Sequence, residues 1–431
     1  MIIVLDTVRP DHLGCYGYAR ETSPYLDAVA PECRKYLAAY STSCWTLPAH
    51  ASMLTGLYPA THGAHWEHMR LDNPQATLAE ILRMYGYRTF ACTENPLISG
   101  TYGFSQGFER FIFLDRRTGG RKNDPVPVLK DFLARRGKDP FFFLFNLIAA
   151  HDPYNSSGQF LKMFVSDQNF AEENHFSTLD ALILGESLLA PKWLRHLGEH
   201  YDAELRFDDA LVGRMIRSLK SAKMWENTLF ILVADHGESL GENGLLSHQF
   251  SLYEAMVRIP LLIHYPPAFP EGSIERHPVQ IQDIFPTVLD VAGLGAERFP
   301  HQGRSLLPGQ PSADREIFLE YYLHPGFRNG ERDARWKDPH VQHFNRRLNA
   351  LRKGPHKLIA GSDASIELYD VANDPWETRN LADNMEFTGI RESLLANLAD
   401  RVERLGKDTA APHAPEHVPT ERDVLESLGY V

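Results

Sequence analysis

The chain begins with four apolar residues, Ile2-Ile3-Val4-Leu5, and turns polar at Asp6. A β-branched run with no polar alternation predicts a strand covered on both faces. Four later runs have the same character: Thr89-Phe90-Ala91-Cys92, Phe141 to Ile148, Thr228 to Ala234 and Ile259 to Tyr265. Within Phe141 to Ile148 the sole polar residue is Asn146. Between these runs the spacing becomes helical. Leu78 to Met84 is one such stretch. Leu205 to Leu219 is another, with Leu205, Phe207, Leu211, Val212, Met215, Ile216 and Leu219 near a 3.6-residue period. Strands alternating with helices predict parallel crossover units, and so an α/β fold with a large, mostly parallel sheet sandwiched by helices.

From about Arg315 the segments shorten and become richer in charge. Ile317-Phe318-Leu319-Glu320 and Lys357-Leu358-Ile359 read as short antiparallel strands. Leu394, Leu395, Leu398, Val402 and Leu405 line one face of a terminal helix. The expected organisation is an α/β domain over 1–314 and a small C-terminal α+β subdomain over 315–431. Asp408 to His417, rich in Pro and Ala, reads as an extended tail.

Composition narrows the partners. A net charge of -12 across 431 residues opposes a broad grip on a nucleic-acid polymer or an anionic membrane. A small anionic substrate stays open, because a bound cation reverses the local sign. The four cysteines, Cys15, Cys33, Cys44 and Cys92, show no metal-ligand spacing. They fit a reduced, cytoplasmic protein. Asp6 interrupts the first apolar run too early for a signal core, and no run nears the roughly 18 apolar residues of a membrane span.

In doubly covered sheets, functional side chains collect just beyond the carboxyl ends of strands. Asp6, His151-Asp152 and Asp235-His236 all fall at such ends. Asp6 alone reads first as a turn or capping residue. Asp235 and His236 together offer a carboxylate and an imidazole, both ligands for a divalent metal. Thr46 precedes Leu47-Pro48, and Pro48 suits the first turn of a helix. Its hydroxyl is then either a helix cap or a group facing an anion at a helix N-terminus. His248 lies in the Gly-rich loop Gly241 to His248. Together with His151 it supplies further imidazoles for ligation or proton transfer.

These motifs run in the order of a known group. Ile3 to Gly14 with Tyr16-Gly17, Thr46 to Pro59 with His62-Gly63, and Val233 to Glu238 resemble the metal-binding and nucleophile segments of sulfatase-like hydrolases of the alkaline phosphatase superfamily. Asp283 to Thr287, Gly303 to Pro308 and Glu367 to Leu381 resemble that group's later landmarks. The departures are informative. Sulfatases carry a Cys or Ser, oxidised to formylglycine, where this chain has Thr46, and an Arg where it has His50. Their paired Asp is Asp6-Thr7 here, and Asn95-Pro96-Leu97 stands roughly where they have Gly-Lys-Trp-His.

Thr46 to His50 is similar to the Thr-x-Pro-x-His segment of nucleotide pyrophosphatase/phosphodiesterases. The loop reaching His248 resembles that of phosphoethanolamine transferases. The resemblance implies Thr46 as nucleophile, with His50, His151 and His248 in the catalytic set. It implies a divalent metal (Zn, Mn, Ca or Mg) on Asp6, Thr46, Asp235 and His236. His151, Asp152 and His248 would hold a second metal or the substrate's oxyanion.

The leading expectation is hydrolysis of a phosphate mono- or diester, or a phosphonate ester, through a covalent Thr46 intermediate. The alternatives are a sulfatase using unmodified Thr46 and a non-catalytic sulfatase-like binding protein, the latter motivated by the missing second Asp. Arg328, Arg332, Arg335, His340, His343, Arg346 and Arg347 suggest either a lid that reads an anion or a solvated face.

Overall fold

The apolar runs become the centre of one large sheet. The computed structural model describes residues 1–72, 75–114, 124–135, 137–154, 158–167, 183, 190–309, 315–328 and 334–407. The expected tail at Asp408 to His417 and the lid residue Arg332 lie outside them.

The strands in chain order are β1 (Ile2–Leu5), β2 (Arg34–Tyr40), β3 (Arg88–Thr93), β4 (Arg110–Phe113), β5 (Phe141–Leu147), β6 (Phe230–Ala234), β7 (Ser239–Leu240), β8 (Leu246–Ser247), β9 (Arg258–His264), β10 (Ile274–Glu275) and β11 (Val279–Gln280). A nine-stranded sheet runs β10-β2-β9-β6-β1-β5-β3-β4, with β11 beside β2. β7 and β8 form a separate hairpin. Every residue of β1 is buried, as a strand with neighbours on both sides and helices on both faces requires. β1 runs parallel to both β5 and β6, whereas β9 is antiparallel to both β2 and β6.

Two elements depart from the sequence pattern. β2 (RKYLAAY) begins with two charges and lacks a continuous apolar run, and it sits near the sheet edge, where one face is only partly covered. The helix expected over Leu205 to Leu219 extends through Pro191–Ser221. Its first turns carry charge and histidine, so no apolar period marks them.

A second, antiparallel sheet follows: β12 (Ile317–Tyr321), β13 (Leu348–Lys353), β14 (His356–Gly361) and β15 (Ile366–Asp370). Phe318, Leu351, Leu358 and Leu368 pack with Leu394, Leu398 and Leu405 of the helix Thr388–Lys407, and with Tyr58 from the first part of the chain.

Buried ion pairs tie the two sheets together. Arg315 grips both carboxylate oxygens of Asp283. Lys357 of β14, fully buried, lies 3.1 Å from Glu254 and 2.7 Å from Glu377. Removing a buried cation leaves its carboxylate partners uncompensated. Lys357→Met should therefore lower the unfolding free energy by about 3 kcal/mol, read from denaturant titration. A change below about 1 kcal/mol would show that these charges are solvated.

Candidate active site

Register places the site. Leu5 of β1 lies opposite Leu147 of β5 and Ala234 of β6, so Asp6 and Asp235 emerge side by side at one edge. Asn146, one step earlier on β5, pairs with Val4 and with Thr93 of β3. Asn95 follows β3 at the same edge.

Thr46 arrives from the other side. It is the first residue of the helix Thr46–Thr55, with Trp45 at the N-cap, so the helix starts one residue earlier than Pro48 suggested. Pro48 is tolerated because first-turn N–H groups have no intrahelical acceptor. All ten residues of this helix are buried. It stops at Gly56 (φ 73°), where a Cβ would stand 2.8 Å from Phe285 and His301.

Four polar atoms converge. Ligand atoms of Asp6, Asp235 and His236 lie within 4.8 Å of one another, and all three residues are buried. Each carboxylate has one oxygen clamped. Asp6 Oδ2 accepts from Asn95 Nδ2 at 2.7 Å and Asn146 Nδ2 at 3.3 Å. Asp235 Oδ1 accepts from the main-chain N–H of His236 at 2.9 Å and of Thr7 at 3.3 Å. The other oxygens, Asp6 Oδ1 and Asp235 Oδ2, are buried without a hydrogen-bond partner.

His236 donates through Nδ1 to the Gly237 carbonyl at 2.9 Å, which leaves the Nε2 lone pair facing the same point. Nε2 is 3.8 Å from Asp6 Oδ1, 3.4 Å from Asp235 Oδ2 and 3.2 Å from Thr46 Oγ1. Gly237 cannot be replaced freely: a Cβ there would sit 2.0 Å from the Ala255 carbonyl oxygen.

The electrostatics agree with a cation site. Burial, and then the adjacent Asp6, push the Asp235 carboxyl well above its usual range. Burial, with His248 next, pushes His236 well below its own. Two orphaned carboxylate oxygens and an imidazole lone pair, all buried, form a donor set that could hold a divalent metal, which would neutralise the charge that burial penalises.

Thr7 stands where a second Asp would be and brings no carboxylate. Its hydroxyl donates to the Ala150 carbonyl at 2.7 Å. Its φ of 60° is unusual for a β-branched residue, and the Tyr201 hydroxyl steadies it by donating to its carbonyl at 2.8 Å.

The other candidates flank this group. His50 lies with Nδ1 3.0 Å from the Thr46 carbonyl and 3.4 Å from Asp235 Oδ2, and burial lowers its pKa to about 4. The His248 ring is 4.5 Å from His236 and 4.9 Å from His151, so three imidazoles form a bank beside Thr46. His151 Nδ1 bonds the main-chain oxygen of Asp152. Among the described residues, His151, Asp152 and His248 do not form a metal-ligand group of their own. His248 Nδ1 instead pairs with Glu238 at 3.1 Å. The lid idea loses two supports: Arg346 is tied to Ser365 at 2.7 Å and Glu367 at 3.1 Å, and Arg347 to Glu67.

Sequence reasoning gave no role to Asn95, Asn146 or Glu238. Asn146 did carry a signal, as the one polar side chain in an otherwise apolar central strand.

Comparison with known proteins identifies the family and the fold. The sulfatase family profile matches residues 1–294, and a profile for the C-terminal part of N-sulphoglucosamine sulphohydrolase matches residues 241–404. An ulvan-active sulfatase of Formosa agariphila is 25% identical over 444 residues, spanning 94% of this chain and 81% of that one. Human arylsulfatase K is 26% identical over 428 residues, spanning 86% of this chain and 76% of the relative. Among solved structures, the phosphonate monoester hydrolase of Agrobacterium radiobacter superposes with a TM-score of 0.74 at 20% identity, covering 94% of this chain and 95% of that one. A protein solved with its substrate D-glucosamine-2-N,6-O-disulfate superposes with a TM-score of 0.72 at 21% identity, covering 95% and 98%.

Proposed function

Because this chain belongs to the sulfatase family and is an ester hydrolase, we propose that it cleaves a small sulfate ester with unmodified Thr46 as nucleophile. One observation carries the assignment of residues. Thr46 Oγ1 stands 3.2 Å from the open Nε2 of His236, beside the two orphaned carboxylate oxygens of Asp6 and Asp235. Asp6, Asp235 and His236 would hold a divalent cation, which supplies positive charge that lowers the proton affinity of the Thr46 hydroxyl and offsets oxyanion charge.

The chain's own residues do the rest. The helix Thr46–Thr55 and its buried surroundings fix the nucleophile and exclude water. Thr46 gives its hydroxyl proton to the neighbouring imidazoles, its Oγ bonds to the sulfur as the ester bond to the alcohol breaks, and the departing alcohol oxygen takes a proton back from them. His151 and His248 are the proton donors proposed for that step. Water then cleaves the Thr46 ester, releasing sulfate and restoring the hydroxyl.

Thr46 itself favours a second reading, because a threonine does not yield formylglycine. A phosphate or phosphonate ester, the leading expectation from sequence, fits a hydroxyl nucleophile equally. Relatives named as sulfatases support the sulfate reading as the first choice. Turnover of matched aryl sulfate, aryl phosphate and aryl phosphonate substrates separates the two. The sulfate reading predicts the highest kcat/KM on the sulfate, by at least about tenfold, or 1.4 kcal/mol of transition-state preference. A reversed order would select the phosphorus esters, and turnover of none would remove both.

A further inference from the structure

Two asparagines stand behind the reacting group, and their amide orientations are fixed by what surrounds them. Asn146 Oδ1 accepts from the Asn95 main-chain N–H and from Thr93 Oγ1, each at 3.2 Å. Its Nδ2 is thereby turned toward Asp6 Oδ2 and toward His50 Nε2, each at 3.3 Å. The reverse orientation would set an amide oxygen against a carboxylate and an amide N–H against the Asn95 N–H. Since Nδ2 only donates, His50 Nε2 must accept, and the ring proton must reside on Nδ1. That proton faces the Thr46 carbonyl at 3.0 Å, with Asp235 Oδ2 farther off at 3.4 Å.

Asn95 is fixed in the same way. Its Oδ1 accepts from the Leu97 N–H at 2.9 Å, so its Nδ2 faces Asp6 Oδ2 at 2.7 Å and Thr46 Oγ1 at 3.4 Å. Asn95, Asn146, His50 and Thr46 are all buried, so each of these donors and acceptors depends on the others.

We propose that Asn95 and Asn146 are positioning residues that hold Thr46 from two sides. Asn146 acts through the Nδ1–H tautomer of His50 on the Thr46 main chain, and Asn95 acts on the Thr46 hydroxyl and its neighbour Asp6. The relay turns a neutral histidine into a backbone anchor, and it aims the free oxygen of Asp6 by occupying the other one. It rests on the reading of Thr46 as nucleophile, but the tautomer of His50 follows from hydrogen bonding alone.

The test has two arms. Histidine 15N labelling of the full chain, with and without calcium, reads the His50 tautomer, and the His50→Gln variant identifies its resonances. The expected result is a neutral ring protonated at Nδ1. A proton on Nε2 overturns the proposal. In the kinetic arm, Asn146→Leu and Asn95→Leu at saturating metal should each lose about 10- to 100-fold in kcat, with KM changed less than about threefold. Folded variants whose kcat stays within about threefold of the parent overturn it as well. Should a variant not fold, the tautomer in the parent chain decides. Should the parent turn over no ester, the hydrolase reading fails, while the tautomer still decides the relay.

Discussion

Thr46→Ala removes turnover, by at least about 10³-fold in kcat, as loss of an activated nucleophile does elsewhere. The fold survives, because among the described residues the Thr46 hydroxyl makes two hydrogen bonds, with His236 Nε2 at 3.2 Å and from Asn95 Nδ2 at 3.4 Å. Thr46→Ser keeps the hydroxyl and removes only a methyl group, so it retains activity within about tenfold. That pair of variants separates a nucleophile from a residue that merely packs. Equal losses in both would point to packing. Retained turnover in Thr46→Ala would end the assignment.

Asp235→Asn affects stability and metal binding in opposite directions. In the metal-free protein Asp235 is buried against Asp6, and both burial and that neighbour raise its pKa well above the usual range. A carboxylate raised in the fold costs stability as pH climbs from its unfolded value toward its folded one, because the unfolded chain releases the proton first. The amide removes that penalty, so metal-free Asp235→Asn should be more stable than the parent at neutral pH by about 1–2 kcal/mol. Metal affinity should fall at least about 100-fold, since a ligand is lost rather than a supporting group.

The parent should also gain about 2.7 kcal/mol of stability when metal stands at 100 times its Kd, and the variant should not. The parent's affinity for metal should rise with pH, because the cation competes with protons for Asp235, whose pKa burial raises. Calorimetric unfolding with and without metal, at two pH values, reads all of this. A parent that gains nothing from any divalent ion would contradict it.

Much of the fold was legible because buried parallel strands leave a plain mark. β1 and β6 are apolar throughout and β5 is apolar but for Asn146; β1 and β6 end where the chain turns polar, so Asp6 and Asp235 could be set at strand ends without coordinates. β2 left a weaker mark, since its Arg34 and Lys35 belong to an edge that meets solvent. The pairing of β9 against its neighbours could not be read either, because an apolar strand has the same composition in either direction.

At the site, charged and imidazole side chains stood out by type, whereas Asn95 did not, and Asn146 showed only as a polar break in an apolar strand. An asparagine in a loop has many ordinary uses. Its role here appears only when β3 and β5 are in register and the amide is seen to meet Asp6. Thr7 shows the converse. Its side chain occupies a ligand's place in the motif, but its hydroxyl is spent on the Ala150 carbonyl.

The central claim is that one divalent cation shares Asp6, Asp235, His236 and the Thr46 hydroxyl. Anomalous diffraction from crystals equilibrated with manganese tests it most directly. A single dominant peak is expected in contact with Asp6 Oδ1, Asp235 Oδ2 and His236 Nε2, at roughly 2.0–2.5 Å as such ligands require, and next to Thr46 Oγ1. A peak centred on His151, Asp152 and His248 with none between the two carboxylates, or no peak in active crystals, would contradict it.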